Sequence, residues 1–545
     1  MPGIPSKFNC IVFFILFFTD TYISRTSTEA IYTQISINLN YLPPGESITK
    51  FRQLTDLDYN NIINITNIHP NVSFMVIQIH TLVENLTLSY INPIDINSFT
   101  MGNHIGLVWN DEISKKYGLN TRTKEALLYL FRQMPLLAPV DVLISVKTYT
   151  KDDPVPGGCN LSFETEIAPY QKVHLSTAVI TITSQPPSVF GEFCNRSTIT
   201  TEMYYLFLPE NSNSSDEYFQ NIEKMMSFEN VIKYGTKVPN GMGFTKFKQM
   251  YNNYVGIGRV FAVVSTYQGR NSVYVPIVSY GCDVSAWEED CLSFSGVYWN
   301  IIIAFSVICG LLICLGGHRF FKTTLFIIGY TFGATIMSLV LTIDHNFADK
   351  GKEINVCIMG LLLGIIWLFL WWKFGVPVVA VELTFILAGV LVASTLFFVQ
   401  WGETDIFSND LNFWVLFASI VMTAQIPLLY LKPLYHIIAL GLLGSYAFIG
   451  AVNYYMGGSL YYILINTYRR LTVRNFGMAL LDPPYQCLEI IYTLLWAVIF
   501  VLGVYVQHRY SIGKPPFPPH RRGAEFTYLN ERTLLLHEER PIVSI

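Results

Sequence analysis

Charge is what this sequence has least of. Only 14% of its 545 residues are Asp, Glu, Lys or Arg, against about 25% in an average soluble domain. Apolar residues make up 51%, and the mean hydropathy is +0.38. A soluble fold cannot hide that much apolar surface behind so few charges, so much of the chain belongs in lipid. No sign of charge dominates either: 35 basic against 39 acidic residues leave a net charge of -4. That excludes the broad positive field a nucleic-acid binder needs. Recognisable catalytic patterns are missing too, with no nucleophile motif, no phosphate loop and no His-x-x-x-His pair in the last apolar run. A membrane metal hydrolase would need several inward His and acidic ligands, so the sequence reads as a non-enzyme without metal or cofactor. Disorder is excluded by what is abundant, 33 Tyr, 38 Phe and 9 Trp.

The N-terminus reads as an address. Lys7 precedes an apolar run over residues 8–18, and Thr19 and Asp20 end it. About eleven apolar residues are too few to cross a ~30 Å hydrocarbon core but fit a secretory signal. We assign residues 1–24 to it, with cleavage between residues 20 and 30. The chain beyond the signal should then lie in an oxidising, glycosylating lumen. N-x-[ST] acceptors stand at Asn64, Asn71, Asn85, Asn160, Asn195 and Asn213, all before residue 296. Four cysteines, Cys159, Cys194, Cys282 and Cys291, share that stretch. Four cysteines allow three pairings. The short loops favour Cys159–Cys194 and Cys282–Cys291.

Residues 31–295 alternate with period two, rich in β-branched and aromatic side chains at 71–80, 84–90, 140–149 and 177–183. A hairpin is expected from residues 260–267, a Gln-Gly-Arg-Asn-Ser turn and residues 273–278. Val146, Thr148 and Tyr149 recur as Val264, Thr266 and Tyr267, each set followed by Gly-Cys. The fold class expected is therefore an all-β extracellular region, two β-sandwich domains at 25–155 and 156–296, followed by an all-α bundle.

Seven apolar runs fill residues 297–506: 297–315, 323–343, 354–372, 375–399, 411–431, 434–456 and 487–506. Helices of about 20 residues cross a bilayer because they satisfy every backbone polar group internally. Arg319, Lys322, Lys373, Lys432 and Arg509 stand on one side of these runs, acidic links on the other. This places the N-terminus outside and the tail, residues 507–545, in the cytoplasm. One outer link breaks the rule, carrying Arg469, Arg470 and Arg474. An amphipathic helix on the membrane surface over residues 461–476 is the reading that fits it. The three basic turns also suggest a helical hairpin repeated three times. Gly329-x-x-x-Gly333 and Gly360-x-x-x-Gly364 are expected to pack helices within one bundle.

Only Glu382 and Glu489 put charge inside the runs. A carboxylate about 9 Å into a span marks an ion path or a local polar pair, so Glu382 is a candidate intramembrane site, with Gln425 or Tyr435 as partners. Glu489 is expected to reach water. A channel or transporter using the bundle is the alternative function. A G-protein-coupled receptor is disfavoured by the Trp371-Trp372-Lys373 end of span three, by the missing N-P-x-x-Y and by the few residues around Lys432. In the tail, Pro515-Pro-Phe-Pro-Pro519 reads as a stiff spacer. Glu531, Leu535 and Leu536 form a dileucine-type sorting signal, implying a cytoplasmic sorting adaptor and endosomal or lysosomal cycling.

Several motifs, in order, resemble one family. They are Asp153-Pro-Val-Pro-Gly-Gly-Cys159-Asn160, Tyr205-Leu-Phe-Leu-Pro-Glu-Asn211, Gly317-His-Arg-Phe320, Trp371-Trp-Lys-Phe-Gly375, Pro516-Phe-Pro-Pro-His520 and Glu531-Arg-Thr. They are similar to the transmembrane 7 superfamily member 3 family. The resemblance implies a signal peptide, a β-rich ectodomain and seven spans that are not receptor-like. It implies a plasma-membrane protein linked to cell survival and unfolded-protein stress. It carries over no site residue or ligand. The bilayer and an unidentified extracellular partner complete the expected set.

Overall fold

The structure is a computed structural model. It describes residues 33–55, 60–95, 98–117, 125–132, 139–156, 171–188, 199–209, 214–239, 247–282, 291, 297–343, 351–399, 405–426 and 432–512. Asn160, Asn195, Asn213, Cys159, Cys194, Glu531, Leu535, Leu536 and the N-terminal run lie outside the described residues.

Period-two patterning yields a first sandwich of two sheets. One runs β1 (Thr33–Asn38), β3 (Asn60–Thr66), β8 (Ala126–Arg132), β5 (Leu86–Ser89), β6 (Phe99–Gly102). β1 lies parallel to β3 and the rest are antiparallel. The other runs β2 (Ser47–Leu54), β9 (Val140–Thr150), β4 (Val72–His80), β7 (His104–Asn110). Between them Ile63, Ile65, Met75, Ile77, Leu128 and Ile144 are sealed from solvent, each contributing about 1.5–3 kcal/mol. A one-turn helix, α1 (Asp111–Lys116), follows β7. β4 and β9 are buried on both faces. Their second face meets the next domain, where Phe74, Val76 and Tyr149 pack on Val275.

That second domain has β10 (Val155–Pro156) paired with β13 (Pro187–Ser188), and a three-stranded sheet of β11 (Gln171–Leu175), β12 (Val179–Ser184) and β16 (Lys248–Asn252). A larger sheet joins β15 (Thr236–Lys237), β14 (Thr200–Phe207), β17 (Arg259–Tyr267) and β18 (Arg270–Val273), with β19 (Ile277–Ser279) also on β17. The expected hairpin is tighter than the sequence suggested. Tyr267 pairs Arg270 across only Gln268 and Gly269, both at positive φ, the geometry of a two-residue turn whose twist matches its strands. The repeated Val-x-Thr-Tyr residues end the long inner strand of each domain, β9 and β17.

Two helices the all-β expectation omitted, α2 (Ser215–Lys224) and α3 (Phe228–Tyr234), cover the larger sheet. Tyr218, Phe219, Ile222, Met225 and Met226 fall at helical spacing and bury one face. Ser227 caps α3 by accepting from the Asn230 N–H.

Among the described residues, six helices are long and apolar enough to cross a membrane. They are α4 (Val297–Gly316), α5 (Phe321–Ile343), α6 (Lys352–Phe374), α7 (Pro377–Phe398), α9 (Lys432–Tyr455) and α11 (Cys487–Ser511). The segment expected at 411–431 forms a helix of only 14 residues, α8 (Asp410–Thr423). Gly375, at φ +60°, caps α6 and Pro377 opens α7 at once. The basic turns do not mark packed hairpins. α5 packs chiefly on α6, α4 on α9, and α7 on α8. Glycine decides two of these pairings. A Cβ on Gly329 would lie 3.1 Å from the Gly364 Cα, and one on Gly444 would lie 2.4 Å from the Cys314 nitrogen. The two Gly-x-x-x-Gly stripes thus join α5 to α6 inside the bundle.

Candidate functional site: the junction of sheet and bundle

The sheet domains and the helices meet through the link between α9 and α11. Its central helix, α10 (Tyr462–Thr472), falls within the helix expected over residues 461–476. It is wedged between α7 and the second domain, where its polar side chains find their hydrogen-bond partners. Arg469 is buried, with its guanidinium 5.0 Å from the Tyr462 ring centre. It donates to Asn252 Oδ1 at 2.8 Å, to the Asn253 carbonyl at 2.7 Å and to the Thr177 carbonyl at 3.0 Å. Because Asn252 Oδ1 is taken, its Nδ2 donates to Asn466 Oδ1 at 3.0 Å. No carboxylate balances Arg469 in these contacts. Burial lowers its pKa, while Tyr462 and Tyr254 act in the opposite sense. An arginine stays charged even so, and the carbonyl oxygens carry the compensation.

Further along the link the backbone itself pairs. The Leu480 N–H donates to the Met250 carbonyl at 2.9 Å, and the Asn252 N–H to the Leu480 carbonyl at 2.8 Å, a parallel bridge beside β16. Leu480 joins Val173, Ile180 and Phe261 in the core of the second domain. Phe476 and Ala479 pack with Ala178, Val179 and Met250. Conversely, Tyr254 of the sheet domain sits among Leu391, Phe398, Tyr446 and Ile463 of the helices. Its ring meets the edge of Tyr462 at 4.9 Å, and the Tyr462 hydroxyl accepts from the Val255 N–H at 3.0 Å.

A second buried arginine closes the other flank. Arg259, at the start of β17, lies 4.3 Å from the Phe207 ring centre and 5.1 Å from that of Tyr254. Its Nη2 reaches the Asp482 carbonyl at 3.5 Å. The Asp482 carboxylate accepts from the Tyr205 hydroxyl. Burial raises the Asp482 pKa, against the pull of Tyr205 and Arg259. Gln486 Nε2 donates to the Leu208 carbonyl at 2.8 Å. The disulfide Cys282–Cys291 closes the chain between this domain and α4.

The predicted positions fall unevenly. Glu489, expected in water, is 1% exposed and accepts from Asn453 Nδ2 and from the Ser459 N–H. It pins the link to the start of α11, and a carboxylate so placed needs those donors in place of solvent. Glu382 is half-buried on α7. The partners considered for it are engaged elsewhere: Tyr435 donates to the Ala424 carbonyl, and Gln425 to the Val421 carbonyl at 3.3 Å. Asn71 and Asn85 are exposed, and Asn64 is half-buried on the outward face of β3. Of the link arginines, Arg474 is exposed, and Arg470 pairs with Asp410 at 3.1 Å. The charge anomaly signalled this link in the sequence. Arg259, Asn252, Asn466 and Asp482 gave no local signal, being single polar residues whose partners lie 200 or more positions away in the chain.

The comparisons agree with this architecture. Residues 47–130 match the TM7SF3-like, N-terminal immunoglobulin-like domain, and 154–285 the TM7SF3-like, second immunoglobulin-like domain. Residues 303–508 match the TM7S3/TM198-like domain. The Rattus norvegicus transmembrane 7 superfamily member 3 is 27% identical over 471 residues, 84% of this chain and 82% of that protein. The Homo sapiens one is 27% identical over 469 residues, 83% of this chain and 80% of that protein. This chain belongs to the transmembrane 7 superfamily member 3 family. In this family member two immunoglobulin-like domains precede a multi-pass membrane bundle, and the link before α11 joins them. A solved β-1,2-glucanase from Parabacteroides distasonis overlaps at a TM-score of 0.12 and 12% identity, over 65% of this chain and 49% of that one. That score carries no argument.

Proposed function

We propose that this chain is a non-enzymatic plasma-membrane glycoprotein whose immunoglobulin-like module binds a partner outside the cell and relays that binding to the bundle. The observation that carries the relay is the Arg469 site, where one helix of the link is bonded to the sheet domain and packed on α7. A ligand can bias the helices only through interactions that reach them, and a rigid junction carries a displacement of the second domain directly to α7 and α10. The N-terminus is outside and the tail inside; exposed Asn71 and Asn85 accept glycans there. The role of the relay, by family resemblance, is survival under unfolded-protein stress.

Deleting the gene and challenging cells with a blocker of glycoprotein folding tests this. The wild-type chain should restore survival, and Arg469→Met, matched for surface level, should restore little. Equal survival of deleted and control cells would remove the stress role. Full rescue by Arg469→Met would remove the relay.

A further inference from the structure

The two immunoglobulin-like domains meet across a face that should be dry and apolar, yet its middle is polar. Even-numbered β4 residues and odd-numbered β9 residues point at the second domain. At the ends this face is greasy, with Phe74, Val76 and Tyr149 on Val275, and Leu143 among Tyr218, Ile222 and Val278. Between them lie Gln78, His80, His104 and Ser145, all buried. His80 and His104 are cross-strand partners with ring centres 5.9 Å apart. From the second domain, the Tyr218 hydroxyl meets His104 Nδ1 at 2.8 Å.

Burial favours neutral imidazoles in this cluster. His80 Nε2 donates to Gln78 Oε1 at 3.0 Å, so its Nδ1 carries the lone pair. That Nδ1 is buried without a partner, as are Gln78 Nε2 and Ser145 Oγ. A proton added there would find no acceptor. The two rings also oppose each other's charge. The ionisable groups around them do not help. On β9, Asp141 accepts from Ser215 and Gln53, and Lys147 is cationic. Beyond β4, Glu84 is bonded to Arg132. Glu223 of α2 accepts from Thr49. Tyr218 and Tyr280 are neutral phenols raised above their usual range by burial. No carboxylate among the described residues hydrogen-bonds either imidazole.

We infer that the His80–His104–Tyr218 seam is a pH-sensitive latch: acidification protonates the two histidines and releases the first immunoglobulin-like domain from the second. The second domain stays docked through contacts that do not titrate, the Arg469 bonds to Asn252, Asn253 and Thr177 and the Leu480 backbone bridge. Burial holds the His104 pKa down to about 4 and that of His80 well below its usual value. An opened imidazole titrates near 6.5. The latch is therefore intact above about pH 6.5 and weakens as pH falls toward 4. Between pH 7.4 and 5.0 the opening constant should rise about 25-fold through His104 alone, and further through His80.

The test is hydroxyl-radical footprinting of the full chain in nanodiscs at both pH values, corrected for the free reactivity of each side chain. Protection of the seam side chains Phe74, His80, Tyr149 and Tyr218 should be lost at pH 5.0, while side chains of α10 and β16 keep theirs. His80→Gln/His104→Gln, which preserves polar contacts but does not titrate, should keep seam protection at both pH values. His80→Phe/His104→Phe serves the same end if the amide variant fails to fold at pH 7.4. Unchanged wild-type protection at pH 5.0, or an equal loss in the folded double variant, would overturn the latch.

Discussion

Arg469 illustrates how a single residue holds two modules together. Its three acceptors belong to the sheet domain and its backbone to the membrane link. A hydrogen bond to a charged group is worth about 1.5–3 kcal/mol. Arg469→Met leaves Asn252 Oδ1 and the Asn253 carbonyl buried and unpaired, so the junction should loosen by several kcal/mol, seen as earlier exchange of the α10 amides. Arg469→Lys should not rescue it, since an ammonium lacks the planar fork that reaches three separated oxygens. Lys147 is the opposite case. It is 6% exposed on β9, and burial lowers its pKa to about 8, with Asp153 and Glu46 only partly offsetting this. A buried cation with a depressed pKa is a standing cost at neutral pH. Lys147→Met should stabilise the first domain by roughly 1–3 kcal/mol at pH 7. Linkage sets the sign: the unfolded lysine binds its proton up to about pH 10.5 and the folded one only up to about 8. The gain should therefore shrink as pH rises from 8 to 10.5, and a series of thermal melts across that range checks it.

Among the elements, glycine-mediated contacts set the helix pairing more than chain order does. The Gly444 approach to α4 leaves no room for a side chain. Gly444→Leu should cost about 1–3 kcal/mol or more through overpacking. Gly450→Ala on the same helix, where the nearest atom is 3.8 Å from the new Cβ, should cost little. Thermal denaturation of the detergent-solubilised protein distinguishes the two. The elements also show what local sequence can carry. Strands β4, β9, β12 and β17 and the six long helices are legible directly from period two and from apolar length. Helices α2 and α3 were hidden because their apolar residues are interspersed in a stretch dominated by strand signals. The segment 411–431 is mostly apolar, yet its helix ends at Thr423, before Gln425 and Pro427; composition marks lipid compatibility, not where hydrogen bonding stops. The three arginines before α11 were legible as an anomaly, but not their destination. Tertiary partners in another domain decide that Arg469 is buried while Arg474 is exposed.

For the whole molecule, the consequence is mechanical. The first immunoglobulin-like domain is held by a seam with titratable histidines, whereas the second is joined to the bundle by two buried arginines, a backbone bridge and three shared apolar clusters. The second domain and the bundle should then move as one body, with freedom left to the first. On the proposed topology, which puts the sheet domains outside the cell, glycosidase treatment of intact cells should shift the protein's mobility, and Asn71→Gln and Asn85→Gln should each remove one step of that shift. The most direct measurement is the distance distribution between spin labels on Lys248 of β16 and Asn412 of α8, by pulsed electron resonance in nanodiscs at pH 7.4. A single narrow distance, broadened by Arg469→Met, is the predicted result. A broad distribution in the wild-type chain would contradict the junction on which the account rests.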